Sequence, residues 1–425
     1  MSDNSSILRA VSWREVCPWL VQVRACGTAL SLSLLLLAAG GALATSAGWR
    51  VAANVFLNDP GVEVSSQTSR FVEHVGYWPG DKRANPLIDR QETFAAPEPD
   101  GILAANPIGY VARRFVLPLR RLFDPRVTWP EIGYSLTGVI WSLLVWGLFG
   151  GAIARVAAAQ LGCEQRVGAL QALSFARRSI GSYVAGPLLP LGVIAALAVV
   201  PWLLGLIMRA DFGVLIGSVL WIGVLVLAGL MMVVALGLLF GWPLMWGTIS
   251  AERGSAFDAV GQSFSFVFQR PAHYLFFVAV AVGLGWLGWL LVTTLTEGAL
   301  YLAYWSVGLG AGVHRAAELH DVAGGVFKPE SNLLMLGGSL IGWLDAGVRT
   351  LAVGFAYCFF FCQATAVYLL LRYHVDHTEM DEIALDDEPE PPMGLPPLTT
   401  DPSGVPGVDD TTDPTSPPPL PGGSR

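Results

Sequence analysis

Charged residues are scarce in this chain, and their scarcity limits what the protein can be. Asp, Glu, Lys and Arg make up 14% of its 425 residues, whereas hydrophobic residues make up 53%. A soluble domain carries about 25% charged residues. Six stretches of 21 to 29 residues contain no charged side chain at all, and about 20 apolar residues are enough to cross a bilayer as a helix. The composition therefore excludes an ordinary soluble protein.

Cysteines and short catalytic motifs are also missing where they would be informative. None of the five cysteines lies between residues 47 and 133, so a disulfide-stabilised extracellular domain is not expected there. The sequence has no Walker loop and no HExxH, GxSxG or CxxC motif. No basic cluster is dense enough to bind nucleic acid. We therefore predict a protein that is not an enzyme, has no catalytic residues and uses no metal or cofactor.

The uncharged stretches predict the architecture. A chain in hydrocarbon must satisfy its own backbone hydrogen bonds, which a helix does, so we expect an all-α polytopic transmembrane helical bundle of about six spans over residues 25–371. The first stretch also resembles a cleavable signal peptide, with basic residues before it and Ala42-Leu43-Ala44 near its end. Its long polar lead favours a retained span. The predicted spans are 25–46, 134–154, 184–208, 212–240, 274–296 and 350–371.

The arginines predict an orientation, because Lys and Arg near the ends of spans resist translocation. Arginines precede the first span and fill the loops after the second and fourth spans. This pattern places segment 1–24, both of those loops and the C-terminus in the cytoplasm, with the protein in the inner membrane of the cell. The arginines between 113 and 126 disagree, because they would lie on the outer side just before the second span.

The predicted outer loop, 47–133, contains the arginine-rich stretch PIGYVARRFVLPLRRLFD at 107–124. Arginine pairs alternate there with Phe, Val and Leu, which is typical of a helix lying in the membrane interface. Pro118 should kink or break that helix. The alternative is a solvated collar with no specific ligand. The candidate contacts for lipid phosphate are Arg113, Arg114, Arg120 and Arg121.

The remaining loops and the tail differ in character. Stretches 164–183 and 255–274 are both amphipathic and compatible with helices, and they resemble each other in plan. We expect 297–331 to be an outer loop and 332–347 to be a short interfacial or re-entrant helix. Residues 372–425 form an acidic, proline-rich tail, with 12 Asp or Glu against one Arg from residue 376 onward. Such a segment cannot bury enough apolar surface to fold, so it is predicted to be disordered.

Few polar side chains lie inside the predicted spans. Gln363 is the one strongly polar residue that we place deep in a span, and it needs a protein partner there. Asp345 and Arg349 are one helical turn apart and are expected to pair. Cys358 and Cys362 share a helix face, where packing is favoured over soft-metal binding or lipidation. The metal-ligand types in YHVDHTEMDE, at 373–382, are expected to be solvated.

Four stretches carry a resemblance to a known family. They are GGAIARVAAAQLG, LSFARRSIGSYVAGPLLPLG, FGWPLMWGTISAERGSAFDAVGQSFSFVFQRPAHYLF and YHVDHTEMDEIAL, all between residues 150 and 385. They resemble a family of bacterial multi-pass membrane proteins of unknown function and, more distantly, the membrane domains of some glycerophosphodiester phosphodiesterases. The resemblance implies a helical bundle with loop helices beside the membrane. It implies no catalytic residue, because the soluble phosphodiesterase barrel is absent.

These observations favour a non-enzymatic scaffold or assembly factor. Its partners would be the lipid bilayer and a protein bound through the loop helices or the acidic tail. Small residues at four-residue spacing, such as Gly147 and Gly151, allow close helix packing or a homo-oligomer. The alternative is a transporter or lipid-handling protein built around Gln363 and the third span, which contains Pro187, Pro190 and Pro201.

Overall fold

The computed structural model describes residues 17–58, 68, 71–72, 75–82, 106–124 and 127–384, and the backbone of 398–400 and 406–408. This part of the chain contains eleven α-helices. They are α1 Val21–Ala29, α2 Leu32–Phe56, α3 Pro107–Leu122, α4 Trp129–Leu161, α5 Ala169–Arg178, α6 Ile180–Ile207, α7 Asp211–Glu252, α8 Ala256–Gln269, α9 Pro271–Ala311, α10 Val313–Ala323 and α11 Asn332–Val375. The described residues up to Ile383 belong to one compact unit.

The unit that begins at Ala384 contains two described strands. Its strands β1, Leu398–Thr400, and β2, Pro406–Val408, pair antiparallel with Leu398 opposite Val408. Residues 385–397, 401–405 and 409–425 of the predicted disordered tail lie outside the described residues.

Six helices are long and apolar enough to cross a membrane: α2, α4, α6, α7, α9 and α11. They confirm the prediction of an all-α membrane bundle with six spans. Apolar side chains on their outer faces are exposed, and Val219 and Ile222 of α7 are each 73% accessible. A soluble protein rarely exposes apolar surface on this scale, whereas lipid is its natural environment. The chain is a multi-pass membrane protein.

Capping residues fix where several of these helices begin. The Asn106 side chain accepts a hydrogen bond from the backbone N–H two residues later and so caps α3. Thr128 and Glu131 form a capping box at the start of α4, and Ser255 and Asp258 form one at the start of α8. Each cap satisfies backbone N–H groups that the first helical turn leaves without partners.

The middle of α11, residues 350–371, is the centre of the bundle and is almost entirely buried. Aromatic rings pack it against its neighbours. Trp146 of α4 stacks on Tyr357 with ring centroids 4.1 Å apart, and Trp246 of α7 stacks on Phe361 at 5.3 Å. Each such pair contributes about 0.5–1.5 kcal/mol beyond the area that it buries. Aromatic packing around one central helix therefore organises the spans.

The first predicted span, 25–46, differs from the structure. The chain is helical from Val21 to Ala29, interrupted at Leu30 and Ser31, and helical again to Phe56. Ser31 adopts an extended conformation and its carbonyl accepts from the N–H groups of two residues in the next turn. Serine favours such cap positions over helix interiors. The span itself is therefore α2, which begins later and ends later than predicted.

Three predictions about residues 297–349 are wrong. The predicted outer loop is helical through Ala311 as part of α9, and the predicted re-entrant helix is the first third of α11. The predicted pair of Asp345 and Arg349 does not form. Tyr304 donates to Asp345 at 2.7 Å, and Arg349 pairs with Glu297 at 2.8 Å. Because these partners satisfy the charges, α9 and α11 continue past them.

The predicted interfacial helix at 107–124 is the helix α3, but it is not confined to the membrane surface. Tyr110 and Val111 are buried in the core, where Tyr110 packs edge-on against Trp289 of α9 at 5.1 Å. Pro118 lies inside α3 and is itself buried, and the helix continues beyond it to Leu122. Packing against other helices is what lets a membrane helix tolerate an internal proline.

The bundle extends eight residues past the end of α11, to Ile383. Ile383 is buried against Gly162 at the end of α4, Cys163 donates to the Asp381 carbonyl at 3.1 Å, and Arg372 donates to the Glu382 carbonyl at 2.7 Å. These contacts order residues 376–383, the first part of the acidic tail.

Gly150 tests the close packing around α11. A Cβ at Gly150 would lie 2.6 Å from the Phe361 ring, which cannot move easily because Trp146 and Trp246 stack on it. We expect Gly150→Val to lower the free energy of unfolding by about 1–3 kcal/mol. Gly223→Val is the matched control, since a Cβ there meets no atom within 4 Å. Thermal unfolding in detergent measures both, and equal melting temperatures would contradict this packing.

Candidate functional site

Two ion pairs on α11 mark the ends of its buried stretch. Arg372 pairs with Glu252 of α7 at 3.0 Å, and Arg349 pairs with Glu297 of α9 at 2.8 Å. The two arginines are 23 positions apart, about 35 Å along a helix. This separation fits a hydrocarbon core of about 30 Å. We call the end with Arg372 the tail side of the bundle and the end with Arg349 the far side.

Glu252 is the centre of a hydrogen-bond network on the tail side. Its carboxylate accepts from the Tyr368 hydroxyl and, at 2.8 Å, from the Gln262 side chain of α8, in addition to its ion pair with Arg372. All three groups hydrogen-bond to one charged acceptor, which makes these bonds stronger than neutral ones. The network ties α7, α8 and α11 together where the helices leave the membrane.

Asp376 follows α11 beside this network. Partial burial raises the pKa of its carboxyl group, and the negative charge of Glu252 raises it further, while Arg372 acts in the opposite direction. The ionised form of Asp376 is therefore less favourable in the folded protein than in water.

Gln363, the predicted intramembrane polar residue, is buried and lies nine positions from Arg372, about 14 Å along the helix. Its side-chain N–H donates to the Gln22 backbone carbonyl at 2.8 Å and to the Cys26 sulfur at 3.4 Å. Its side-chain oxygen has no partner among the described residues. Gln363 therefore joins the central helix to α1.

Gln22 is a second buried amide that the sequence did not indicate. Its side-chain N–H donates to the Phe277 carbonyl of α9 at 3.0 Å, and its side-chain oxygen, like that of Gln363, has no partner among the described residues. The two glutamines thus link α1, α9 and α11. Gln22 precedes the predicted first span, so it was read as part of the polar lead; a helix prediction that started a turn earlier would have found it.

Asn106 is a third polar group at depth. It is buried, and its side-chain N–H donates to the Val282 carbonyl at 2.6 Å. Val282 lies 15 positions from Glu297 on α9, about 22 Å from the far-side ion pair. The N-terminus of α3 therefore starts well inside the bundle.

Two of the four arginines that were predicted to contact lipid instead contact other residues of the protein. Arg114 donates to the Val75 carbonyl at 3.3 Å and lies over the Tyr110 ring at 5.3 Å. Arg121 donates to the Thr68 hydroxyl at 2.6 Å and lies over the Phe71 ring at 4.6 Å. Cation–π contacts of this kind stabilise a guanidinium group that has lost water.

The other two arginines have different surroundings. Arg120 is exposed, whereas Arg113 is only partly exposed and makes contacts of its own. Binding of lipid phosphate by the four arginines stays a prediction.

Arg155 was missed because it follows the predicted second span directly and was read as a loop charge. It lies inside α4 and is 1% exposed. Its guanidinium donates to the Ser250 carbonyl of α7 at 2.7 Å and lies over the Phe175 ring of α5 at 4.4 Å. Arg155 therefore fastens the loop helix α5 to the ends of two spans.

The contacts that the structure shows for these groups are hydrogen bonds, ion pairs and cation–π contacts. No group of three or more His, Cys, Asp or Glu side chains in the described ranges is arranged to hold a metal ion. Within YHVDHTEMDE, a ring nitrogen of His374 contacts the Leu370 carbonyl at 2.8 Å. Cys358 and Cys362 are buried free thiols in the packed middle of α11.

Comparison with known proteins finds no relative. No protein-family model matches the chain, and neither the curated proteins nor the solved structures contain a match.

Glu252→Gln tests the tail-side network. Arg372 would lose a partly buried counter-charge, so we expect the free energy of unfolding to fall by about 1–3 kcal/mol. Glu164→Gln is the control, because Glu164 pairs with Arg24 at 3.0 Å where both side chains are well exposed, and such pairs contribute about 0–1 kcal/mol. Thermal unfolding of both variants measures the two losses of stability. A larger loss from Glu164→Gln would contradict the assigned roles.

Asp376→Asn tests the raised pKa of Asp376. The folded protein holds this proton more tightly than the unfolded chain, so stability is lost as the pH rises past the ordinary Asp pKa of about 4. The asparagine variant avoids that loss. We expect it to melt at a higher temperature than the parent at pH 7, and the difference should vanish at a pH below the ordinary Asp pKa. A lower melting temperature of Asp376→Asn at pH 7 would refute the assignment.

Proposed function

We propose that this protein is a non-enzymatic membrane scaffold or assembly factor. The observation that supports this proposal best is where its buried polar side chains direct their hydrogen bonds. The side-chain N–H groups of Gln22, Asn106 and Gln363 all donate to backbone carbonyls of neighbouring helices. Such bonds join helices, whereas a transport path needs polar groups that face a water-filled space.

The proposed docking surface is on the tail side, at the loop helices α5 and α8. Each helix has a large apolar side chain as its second residue, and both are exposed: Leu170 by 83% and Phe257 by 78%. The residue two positions later, Ala172 or Ala259, is buried in both helices. This shared pattern fits the predicted similarity of the two loops and supports paired contacts with one partner. The acidic tail is a second proposed contact.

The orientation belongs to the same proposal. The tail side carries the exposed residues Arg166, Arg177 and Arg178. Because loops rich in Lys and Arg stay in the cytoplasm, the tail side is expected to face the cytoplasm. The arginines that disagreed with this orientation, such as Arg114 and Arg121, have protein partners in the structure, so they count less as free juxtamembrane charges. We infer an inner-membrane protein with both termini in the cytoplasm.

The resemblance to bacterial multi-pass membrane proteins stays part of this proposal. It is consistent with a helical bundle that carries loop helices, and it adds no catalytic residue. The absence of a catalytic role is likewise proposed on the sequence motifs alone.

Substitution of Leu170 and Phe257 by Asp tests the docking surface. The partner is captured by cross-linking in cells and identified by mass spectrometry. We expect each variant to lose this partner, because the affinity falls about 30-fold when a binding hot spot is removed. Val313→Asp is the control, because Val313 is 82% exposed at the start of α10 on the far side. Truncation after Ala384 tests the tail separately without removing the buried Ile383. Unchanged cross-linking in both Asp variants would refute docking at α5 and α8.

A lipid-handling or transport protein is the second candidate. The observation in its favour is the pair of buried side-chain oxygens, one on Gln22 and one on Gln363, that have no hydrogen-bond partner among the described residues. Unsatisfied carbonyls are costly in a low-dielectric interior, so a ligand that donates hydrogen bonds would be stabilised there.

Gln363→Leu separates the two candidates. If Gln363 joins helices, the variant should lose about 1–3 kcal/mol of unfolding free energy and keep its cross-linked partner when it is folded. If Gln363 contacts a transported molecule, the variant should abolish movement of labelled phospholipids or solutes in reconstituted vesicles that the parent protein supports. Parent vesicles without any such movement would argue against the second candidate.

A further inference from the structure

Three exposed arginines lie where the chain enters two spans on the tail side, and we call them the entry arginines. Arg177 and Arg178 end α5, and α6 begins two positions later at Ile180. Arg270 lies between α8 and α9, directly before Pro271. All three arginine side chains are exposed. Each of the two loop helices is thus joined to the next span at exposed arginine.

The acidic residues of the same two connections are engaged elsewhere. Glu164 pairs with Arg24 at 3.0 Å. Asp258 accepts hydrogen bonds from the backbone N–H and the hydroxyl of Ser255, at 3.2 and 2.7 Å, in the capping box of α8. The guanidinium groups of the entry arginines make no ion pair or hydrogen bond with any residue that the structure describes. Each guanidinium group carries five N–H donors, and these donors are available to a ligand.

The charge of the two connections determines what kind of ligand they attract. Residues 162–179 and 253–270 contain five arginines, no lysine and two acidic residues, a net charge of +3. Such a surface beside a bilayer attracts anionic lipids, and each basic residue strengthens the attraction about fivefold. A planar guanidinium group also matches the geometry of phosphate with two parallel hydrogen bonds. The surface is therefore complementary to a lipid phosphate whose charge no choline group offsets.

The first lipid-facing side chains of α9 indicate the depth of Arg270. Leu275 and Phe276 are 57% and 52% exposed, and Leu275 lies five positions from Arg270, about 8 Å along the helix. The headgroup layer adds about 5–8 Å to each side of the hydrocarbon core. The Arg270 side chain therefore lies at the level of lipid phosphate groups. Arg178 holds the corresponding position before α6.

We propose that the entry arginines bind the phosphate groups of anionic phospholipids in the leaflet on the tail side. The acyl chains of these lipids pack along the exposed apolar faces of α6 and α9. Leu170 and Phe257, the proposed protein contacts, lie near the opposite ends of α5 and α8, so a lipid and a protein partner can bind together. The inference does not depend on the scaffold proposal, and it concerns other residues than the four arginines of α3.

Mass spectrometry of the intact complex between the full chain and added lipid measures this binding in detergent. The parent protein should bind phosphatidylglycerol more tightly than phosphatidylcholine. Arg270→Gln should weaken the binding of phosphatidylglycerol about fivefold, and Arg177→Gln combined with Arg178→Gln should weaken it about 25-fold, because each substitution removes one positive charge. The binding of phosphatidylcholine should stay unchanged in these variants.

Two further variants separate a lipid site from other causes. Arg24→Gln removes the same charge from the tail side, but Arg24 is paired with Glu164, so the affinity should change by less than about twofold. Arg177→Lys combined with Arg178→Lys keeps the charge without the paired hydrogen bonds, and its affinity should fall between those of the parent and the glutamine variant. Equal losses from Arg24→Gln and Arg270→Gln, or displacement of phosphatidylglycerol by inorganic phosphate at the same concentration, would overturn the proposal. Equal binding of the two lipids would also overturn it and would favour an acidic protein surface as the ligand.

Discussion

Where α11 lies in hydrocarbon, only protein atoms can satisfy its polar groups, because lipid tails offer no hydrogen bonds. Its two arginines meet glutamates of α7 and α9, Gln363 meets α1, and its rings stack on α4 and α7. The other spans take their positions from these contacts. The middle of α11, residues 350–371, is buried on nearly all sides, whereas the exposed apolar surface belongs to the surrounding spans and to the first third of α11.

The sequence predicts those elements whose signal is local. A charge-free run long enough to cross the bilayer indicates a span without knowledge of its neighbours, and the amphipathic stretches at 164–183 and 255–274 contain α5 and α8. Helix ends were harder to predict. Glu297 and Asp345 look like points where a helix should leave the membrane, yet Arg349 and Tyr304 satisfy them from other helices. Partners so distant in sequence cannot be inferred from one chain.

The site residues also fall into those that the sequence indicates and those that it does not. A lone glutamine in an apolar run is a strong signal, so Gln363 could be identified from the sequence. Gln22 and Arg155 could not, because each lies just outside a predicted span and a charge or amide there is ordinarily solvated. The arginines of α3 were misleading for a related reason. Alternating Arg and apolar residues describe a helix at the membrane interface equally well as one whose arginines contact aromatic rings of the same protein.

The depth of the polar groups follows from the lengths of the helices that carry them. Helices α1 and α3 have 9 and 16 residues, about 14 and 24 Å, so neither can cross the bilayer. A helix that stops inside the bundle brings unsatisfied backbone groups with it. At α3 the Asn106 side chain accepts a hydrogen bond from a backbone N–H of the first turn and also donates one to α9. Part of the buried polarity in this protein is thus a consequence of short helices packed among long ones, and the unpartnered oxygens of Gln22 and Gln363 belong to the part that helix packing leaves unexplained.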